Sequence, residues 1–491
     1  MKLHSHRPLH RLPEGTGTAR NMVVGLGYSG GGITAMFSAM CAHEGLVNMI
    51  QPSAGSLTVS TASGGSLGYL LQRSTLKADP SGRFRPVDYP PPYSTNLTLE
   101  ALQNRSAAAG HTWWANAVDY IPNITASPLT KHHLAANPDD TVGWWQDVMK
   151  TLFKVGYGVS SDDIGVAQGV GDLVQNCAVL RASGCPMKRN ASSGVMLDAA
   201  SSLRHASVEA SVNATTGEQQ LVFWAANVTL SSSQPNLTLL SAAAWSTAFY
   251  AAGIVESSTL YAAEQAAEAL GKGTLISTKA HVDARAAETV HLVDGGFVDS
   301  TGIVALLRKG IRRILLCYMN NDALRPSSEL QSELASFAYL FGIDLPTDTI
   351  NSLAGPSLLH VFPSELYVPV MANLTDGSRL FARATSVPVL ANAYLGIESY
   401  TLDELLIVSN GRSDEFLASF DDARVAAAVS DQWPDRMPTG FGVLEANLLC
   451  EYVWWKLARH AGEIKQLFQT GGFDGQQDLA RVSRHARHSA S

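Results

Sequence analysis

Residues 22–44 read MVVGLGYSGGGITAMFSAMCAHE. A short apolar run ends in glycines, and Gly30-Gly31-Gly32 opens a helix-forming stretch, so the segment predicts a strand, a tight turn and a helix over Ile33 to Glu44 that Gly45 stops. The arrangement recurs at once. Leu57 to Ser60 reads as a strand, Ser63-Gly64-Gly65-Ser66 as a turn, and Leu67 to Gln72 as a helix. Further on, His291-Leu-Val-Asp-Gly-Gly is a strand entering a turn, residues 302–309 read as a helix, and Arg313 to Tyr318 reads as the next strand. Strands alternating with helices imply an α/β fold with βαβ units of the kind found in parallel sheets.

The rest of the chain fits around that core. It has 491 residues, 46% of them apolar and 16% charged, against about 25% charged in an average soluble domain. Mean hydropathy is +0.03, so a large buried core is easily built and disorder as the dominant state is excluded. Thirty-five Lys plus Arg against 43 Asp plus Glu give −8. No long basic block interrupts this balance, which argues against nucleic acid as a partner. Residues 1–20 read as a tail and 471–491 as a disordered one, bounding a single domain over 21–470. Within it, about 77–235 is proline-rich at its start, turn-rich, and carries Trp113-Trp114 and Trp144-Trp145, which suits an inserted cap or lid. The uncharged stretch Leu237 to Val255 is dominated by Ala, Ser and Thr and reads as a buried helix rather than a membrane span. Residues 445–468 form the clearest amphipathic helix.

Compartment is signalled by the sequons, while the cysteines are compatible with either compartment. Asn-X-Ser/Thr occurs eight times, at Asn96, Asn104, Asn123, Asn190, Asn213, Asn227, Asn236 and Asn373, where chance predicts about three. This implies a glycosylated protein that is secreted or in an endomembrane lumen, although residues 1–20 lack the apolar run of a signal peptide; a cytoplasmic location is the other reading. Of the five cysteines, Cys177 and Cys185 can close a small loop, while Cys41, Cys317 and Cys450 sit in apolar patterns typical of buried thiols.

Three motifs carry chemistry. Val24 to Gly32 contains Gly25-X-Gly27-X-X-Gly30, formally a dinucleotide fingerprint, and Gly27-X-Ser29-X-Gly31, formally a nucleophile elbow. A dinucleotide site needs an acidic residue about 20 positions on, at the end of the second strand; Glu44 ends the helix instead, and the second strand ends in Ser and Thr. A third use fits better. Glycines 30–32 expose backbone N–H groups beside the positive end of a helix, as an oxyanion hole requires. The second motif, Thr61-Ala-Ser63-Gly64-Gly65-Ser66, projects a serine hydroxyl from a strand-to-helix turn. In the third, Asp294-Gly295-Gly296, a carboxylate leaves an apolar strand for a glycine loop, where partial desolvation raises its pKa and suits it to act as a base. His291 lies three residues earlier on the opposite strand face and reads as structural.

These motifs, in this order, resemble the patatin-like superfamily, and within it the branch of cytosolic phospholipase A2 and the fungal lysophospholipases (phospholipase B). That branch has a Ser-Gly-Gly-Gly loop, then a Gly-X-Ser-Gly nucleophile turn, then Asp-Gly-Gly or Asp-Ser-Gly. The 32 residues between Gly31 and Ser63, and the fourteen between Asp294 and Arg308, agree with it. The resemblance covers roughly residues 20–75 and 235–320. It implies an α/β fold with a mixed, largely parallel central sheet flanked by helices, a Ser63–Asp294 dyad, an oxyanion hole from Gly30, Gly31 and Gly32, and Arg308 against an anionic head group. It also implies a phospholipid or lysophospholipid substrate at a membrane or micelle surface, with no cofactor, no metal and no stable protein partner. Two positions depart from the family: Thr34 stands where an arginine is usual, and Thr61 where the elbow has glycine. A catalytically silent lipid-binding or scaffold protein, and an α/β-hydrolase with Ser29 as nucleophile, stay open on sequence alone.

Overall fold

A computed structural model describes residues 23–50, 52, 56–78, 149–150, 153–154, 170–181, 188–190, 194–196, 203–212, 219–225, 238–247, 278–281, 289–319, 335–344, 356–376, 379–420, 423 and 443–469. The two tails, the paired tryptophans and Cys185 lie outside them.

β1 (Val24–Tyr28) runs into α1 (Gly32–Ile50), and β2 (Leu57–Ala62) into α2 (Gly64–Ala78). Then come β3 (Val170–Arg181), β4 (Lys188–Asn190), β5 (Gly194–Met196), β6 (Leu203–Val212), β7 (Gln219–Ala225) and α3 (Leu239–Ser246). β8 (Thr278–His281), β9 (Thr289–Asp294), α4 (Val304–Arg308) and β10 (Arg313–Tyr318) follow. β11 (Phe381–Val389), β12 (Tyr400–Ser409), α5 (Val443–Arg459) and α6 (Ala461–Phe468) complete the framework.

The sheet runs β11-β12-β10-β1-β2-β3-β6-β7, with β9 paired to β3 and β8 paired to β9. Its centre, β12 to β3, is parallel, and antiparallel ladders extend both sides. The α/β class expected from the motifs is the one observed. β1, β2 and β10 are buried along their whole length, as parallel strands covered on both faces must be. The period of two divides their side chains between two cores. Leu315 and Cys317 join Phe37, Leu70, Leu240 and Trp454 on the α1, α2, α3 and α5 face; Ile314, Leu316 and Tyr318 join Leu306, Phe341 and Leu374 on the other.

The placement of β9 decides where the chemistry falls. One edge of the twelve-residue β3 is shared: its first half pairs with β2, up to Ala62 opposite Asn176, and its second half with β9, beginning at Asp294 opposite Cys177. β2 runs parallel to β3 and β9 antiparallel, so their carboxyl ends meet at adjacent residues of one strand.

Four expectations change. Gly45 does not end α1, which continues to Ile50; a Cβ at Gly45 would come 2.9 Å from Trp454 Cδ1, so this glycine lets α5 approach. The stretch 77–235, expected as a cap, contributes β3, β6 and β7 to the central sheet in its described part. Residues 445–468 form two helices that meet at His460. Cys41 and Cys450, expected as thiols, form a disulfide between α1 and α5 with Cα atoms 5.4 Å apart, whereas Cys177 and Cys317 are buried thiols. Of Leu237 to Val255, expected as a buried helix, the described part forms α3, every residue of which is buried; residues 248–255 lie outside the described residues. No described helix is long and apolar enough to cross a membrane.

The disulfide closes a loop of 409 residues, so replacing both cysteines with serine should cost about 2–5 kcal/mol of stability. Calorimetry should show a lower melting temperature for the double variant, and the same drop for wild-type protein under reductant.

Candidate active site

Ser63 is the only residue between β2 and α2, and it turns the chain with φ 45°. A serine in the left-handed region costs about 1–3 kcal/mol and persists only where its surroundings impose it. Here they do. The Ser63 N–H donates to Ser246 Oγ at 2.9 Å. A Cβ on Gly64 would come 2.1 Å from the Gly32 carbonyl oxygen, so the start of α2 is pressed against the glycine loop at a contact that admits no side chain.

The hydroxyl of Ser63 donates to Asp294 Oδ2 at 3.1 Å. The other carboxylate oxygen accepts the Gly296 N–H at 2.7 Å, which fixes the plane of the group. Asp294 is 2% exposed and Ser63 9%, so this contact is shielded from bulk water. Burial pushes the neighbouring Cys177 thiol up, and the Asp294 carboxylate pushes it further; Cys177 stays protonated. His291 lies within β9, its backbone paired to Leu180 on one side and Lys279 on the other.

The glycine loop divides its work. Gly31 and Gly32 have φ of 134° and 62°, which glycine alone adopts at low cost. Their N–H groups, at the first turn of α1, meet no acceptor among the described residues. The Gly30 N–H, expected to share the oxyanion role, instead donates to the Ser300 carbonyl at 2.6 Å. That bond ties the loop to the segment following Asp294. The segment is held in turn by the buried Asp299 carboxylate, which accepts the N–H groups of Thr301, Gly302 and Val304 at 2.9–3.1 Å. Burial raises the Asp299 pKa, and the hydrogen bonds from Thr301, Val304 and Gly302 oppose the rise.

Of the two departures from the pattern of the resembling family, the one at Thr61 has a local explanation. Thr61 stays in regular pairing with Tyr28 and Gln175; the strain falls on Ser63, so the elbow needs no glycine two residues earlier. Thr34 is buried on α1 and presents no cation. Ser29 donates to the Gly30 carbonyl at 2.9 Å and accepts the Met319 N–H at 2.6 Å. Its single proton is committed, and it clamps the loop to the end of β10.

Arg308, expected at a head group, pairs with Glu209 of β6, approaches Ser207 Oγ at 3.3 Å and lies 3.4 Å over the Trp224 ring. Burial lowers its pKa to about 10 against the opposing pull of Glu209. Burial would raise the Glu209 carboxyl, but the charges of Arg308 and Lys309 outweigh that and hold it below the usual glutamate range. Lys309 also reaches Glu209, at 2.8 Å. The Arg308 charge is already neutralised where α4 meets β6.

Sequence reasoning missed Asn176. Its Nδ2 donates to Ser60 Oγ at 2.9 Å and to the Thr61 carbonyl at 2.8 Å, while His205 Nε2 meets its Oδ1 at 3.0 Å. Burial holds the His205 pKa well down, and Arg308 lowers it further, so the ring is neutral and donates to Asn176. No sequence motif marks either residue, because their partners are more than a hundred and 29 positions away.

No family model matches the chain, and no curated protein matches it. Among solved structures it is similar to human GIVD cytosolic phospholipase A2, at 12% identity with a TM-score of 0.45 over 91% of this chain; the chain spans 62% of that protein's length.

Glu209→Gln should leave the Arg308 guanidinium buried and poorly paired, at a cost of about 3 kcal/mol. Because the Glu209 pKa is depressed on folding, its contribution is present above the ordinary glutamate range and is lost as pH falls through the folded value. Denaturant melts from pH 7 to pH 3 should therefore show a smaller acid-induced loss for the variant than for wild type.

Proposed function

We propose that the protein is a serine hydrolase of carboxylic esters, acting on the acyl esters of phospholipids or lysophospholipids. The observation that carries the reading is the 3.1 Å hydrogen bond from Ser63 Oγ to a buried carboxylate at a strained strand-to-helix turn. The substrate class rests on the resemblance of the three motifs and their order.

In the proposed reaction Ser63 Oγ attacks the ester carbonyl while Asp294 Oδ2 takes its proton. The N–H groups of Gly31 and Gly32 receive the oxyanion of the tetrahedral intermediate, a kind of contact worth about 3–4 kcal/mol per donor. Collapse breaks the ester C–O bond, and the proton passes from Asp294 to the departing alcohol. A water then gives its proton to Asp294 and attacks the acyl-serine, and Ser63 leaves as the hydroxyl with that proton restored.

The compartment belongs to the same proposal. The eight sequons and the Cys41–Cys450 disulfide support a secreted or lumenal enzyme, since disulfides persist in oxidising compartments. Protein from its native source should run several kilodaltons above 52.3 kDa and shift down after N-glycosidase; no shift would assign it to the cytoplasm.

Ser63→Ala and Asp294→Asn should each abolish fatty-acid release from phospholipid and lysophospholipid mixed micelles while keeping a cooperative melt. The expected loss is at least about a thousand-fold, as for a group essential to bond formation. A folded Ser63→Ala protein that retains more than a few per cent of wild-type activity sinks the assignment. A folded wild-type chain inert on every ester and lipid offered supports the scaffold reading instead.

A further inference from the structure

The hydroxyls around the strained turn form a chain whose proton directions can be deduced. Thr61 Oγ1 donates to the Val174 carbonyl at 3.3 Å, and a threonine hydroxyl has one proton to give. Were Thr61 instead to donate across its 2.8 Å contact with Ser66 Oγ, Ser66 would donate to Ser246, and the Ser246 proton would be left without an acceptor among these contacts. The assignment that satisfies all three hydroxyls therefore makes Ser66 the donor to Thr61. Ser66 then has no proton left, so at its 2.9 Å contact with Ser246 Oγ the donor is Ser246. Ser246 keeps only lone pairs toward the turn, and one of them accepts the Ser63 N–H at 2.9 Å. Every donor points the same way, from Ser63 through Ser246, Ser66 and Thr61 into β3.

All four residues are buried, so water does not compete, and hydrogen bonds aligned in one sense polarise and strengthen one another. We propose that Ser246 is a positioning residue for the Ser63 nucleophile. This rests on the reading of Ser63 given above. The Ser246 hydroxyl anchors the Ser63 amide to β3, holding the residue at φ 45° with Oγ turned toward Asp294. α3 is suited to the task, because it packs against α2, β3 and β9, the elements on which both reacting side chains depend.

Two consequences follow from the direction of the chain. The Ser63 N–H is consumed by Ser246, so it does not contribute to the oxyanion hole, which falls to Gly31 and Gly32. Thr61 acquires a role that a glycine could not perform, since it passes the chain to the Val174 carbonyl. Removing the Ser246 hydroxyl leaves the Ser63 N–H unpaired in a buried site, and the turn gains by relaxing away from φ 45°.

The test is the rate at which a fluorophosphonate probe phosphonylates Ser63 in the full chain, with melting temperature followed in parallel. Ser246→Ala should react about 10-fold more slowly, the effect of orphaning one buried donor, and lower kcat for ester hydrolysis with KM unchanged. Ser66→Ala, one step further along, should lose less, and Ser246→Thr should recover most of the rate. Ser241→Ala, whose hydroxyl meets Thr238 at the other end of α3, should match wild type. A wild-type rate in Ser246→Ala overturns the proposal, as does an equal loss in Ser241→Ala. If Ser246→Ala does not fold, a wild-type rate in Ser66→Ala overturns it. A wild-type chain that Ser63 does not label removes the nucleophile itself, a result distinct from a labelled wild type with an unaffected Ser246→Ala.

Discussion

Asn176 and Cys177 are neighbours on β3, and across the sheet they face the last residue of β2 and the last residue of β9. Everything at the candidate site depends on this sharing of one strand edge. Ser63 and Asp294 are 231 positions apart in sequence, and no loop alone could hold their side chains within hydrogen-bonding distance. The ladder does so because its spacing is set by backbone geometry, with strands about 4.8 Å apart and each residue advancing about 3.3 Å. The site then needs only a turn at each strand end. The Ser63 turn is strained, and the Asp294 turn is locked by the Gly296 N–H.

The surroundings are polar yet dry, which sets their energetic logic. A buried hydroxyl or amide without a partner costs about 1–3 kcal/mol, so the cluster of Ser60, Thr61, Ser66, Asn176 and Ser246 is tolerable only because each member is bonded to another. That mutual dependence makes the arrangement specific. The loop of Gly30 to Gly32 is tied to the Asp294 segment through Ser300, and that segment is tied down by Asp299. The nucleophile candidate, the carboxylate and the N–H donors are thus parts of one hydrogen-bonded frame rather than three independent loops.

Legibility in the sequence followed the range of the interactions. The turns at Ser63 and Asp294 and the strand at Arg313–Tyr318 were readable because glycine punctuation and apolar runs are local. The role of Ser246 was not, since a serine in a stretch of Ala, Ser and Thr gives no sign of which hydroxyl faces a distant amide. The contacts of Arg308 are hidden for a related reason: its spacing from Asp294 is local, but Glu209 and Trp224, which pair with it and cover it, come from β6 and β7. Gly45 misled because a helix stop and a helix contact use the same residue. The disulfide between Cys41 and Cys450 required knowing that α1 packs against α5.

The central claim is that the meeting of β2 and β9 on β3 creates a reactive serine. Its most direct test is to treat the folded native chain with a fluorophosphonate, digest it, and locate the adduct by tandem mass spectrometry in wild type and in Asp294→Asn. A single adduct on Ser63 that disappears when Asp294 is replaced is the expected result. An adduct on Ser29, or one on Ser63 that persists undiminished in Asp294→Asn, would contradict it.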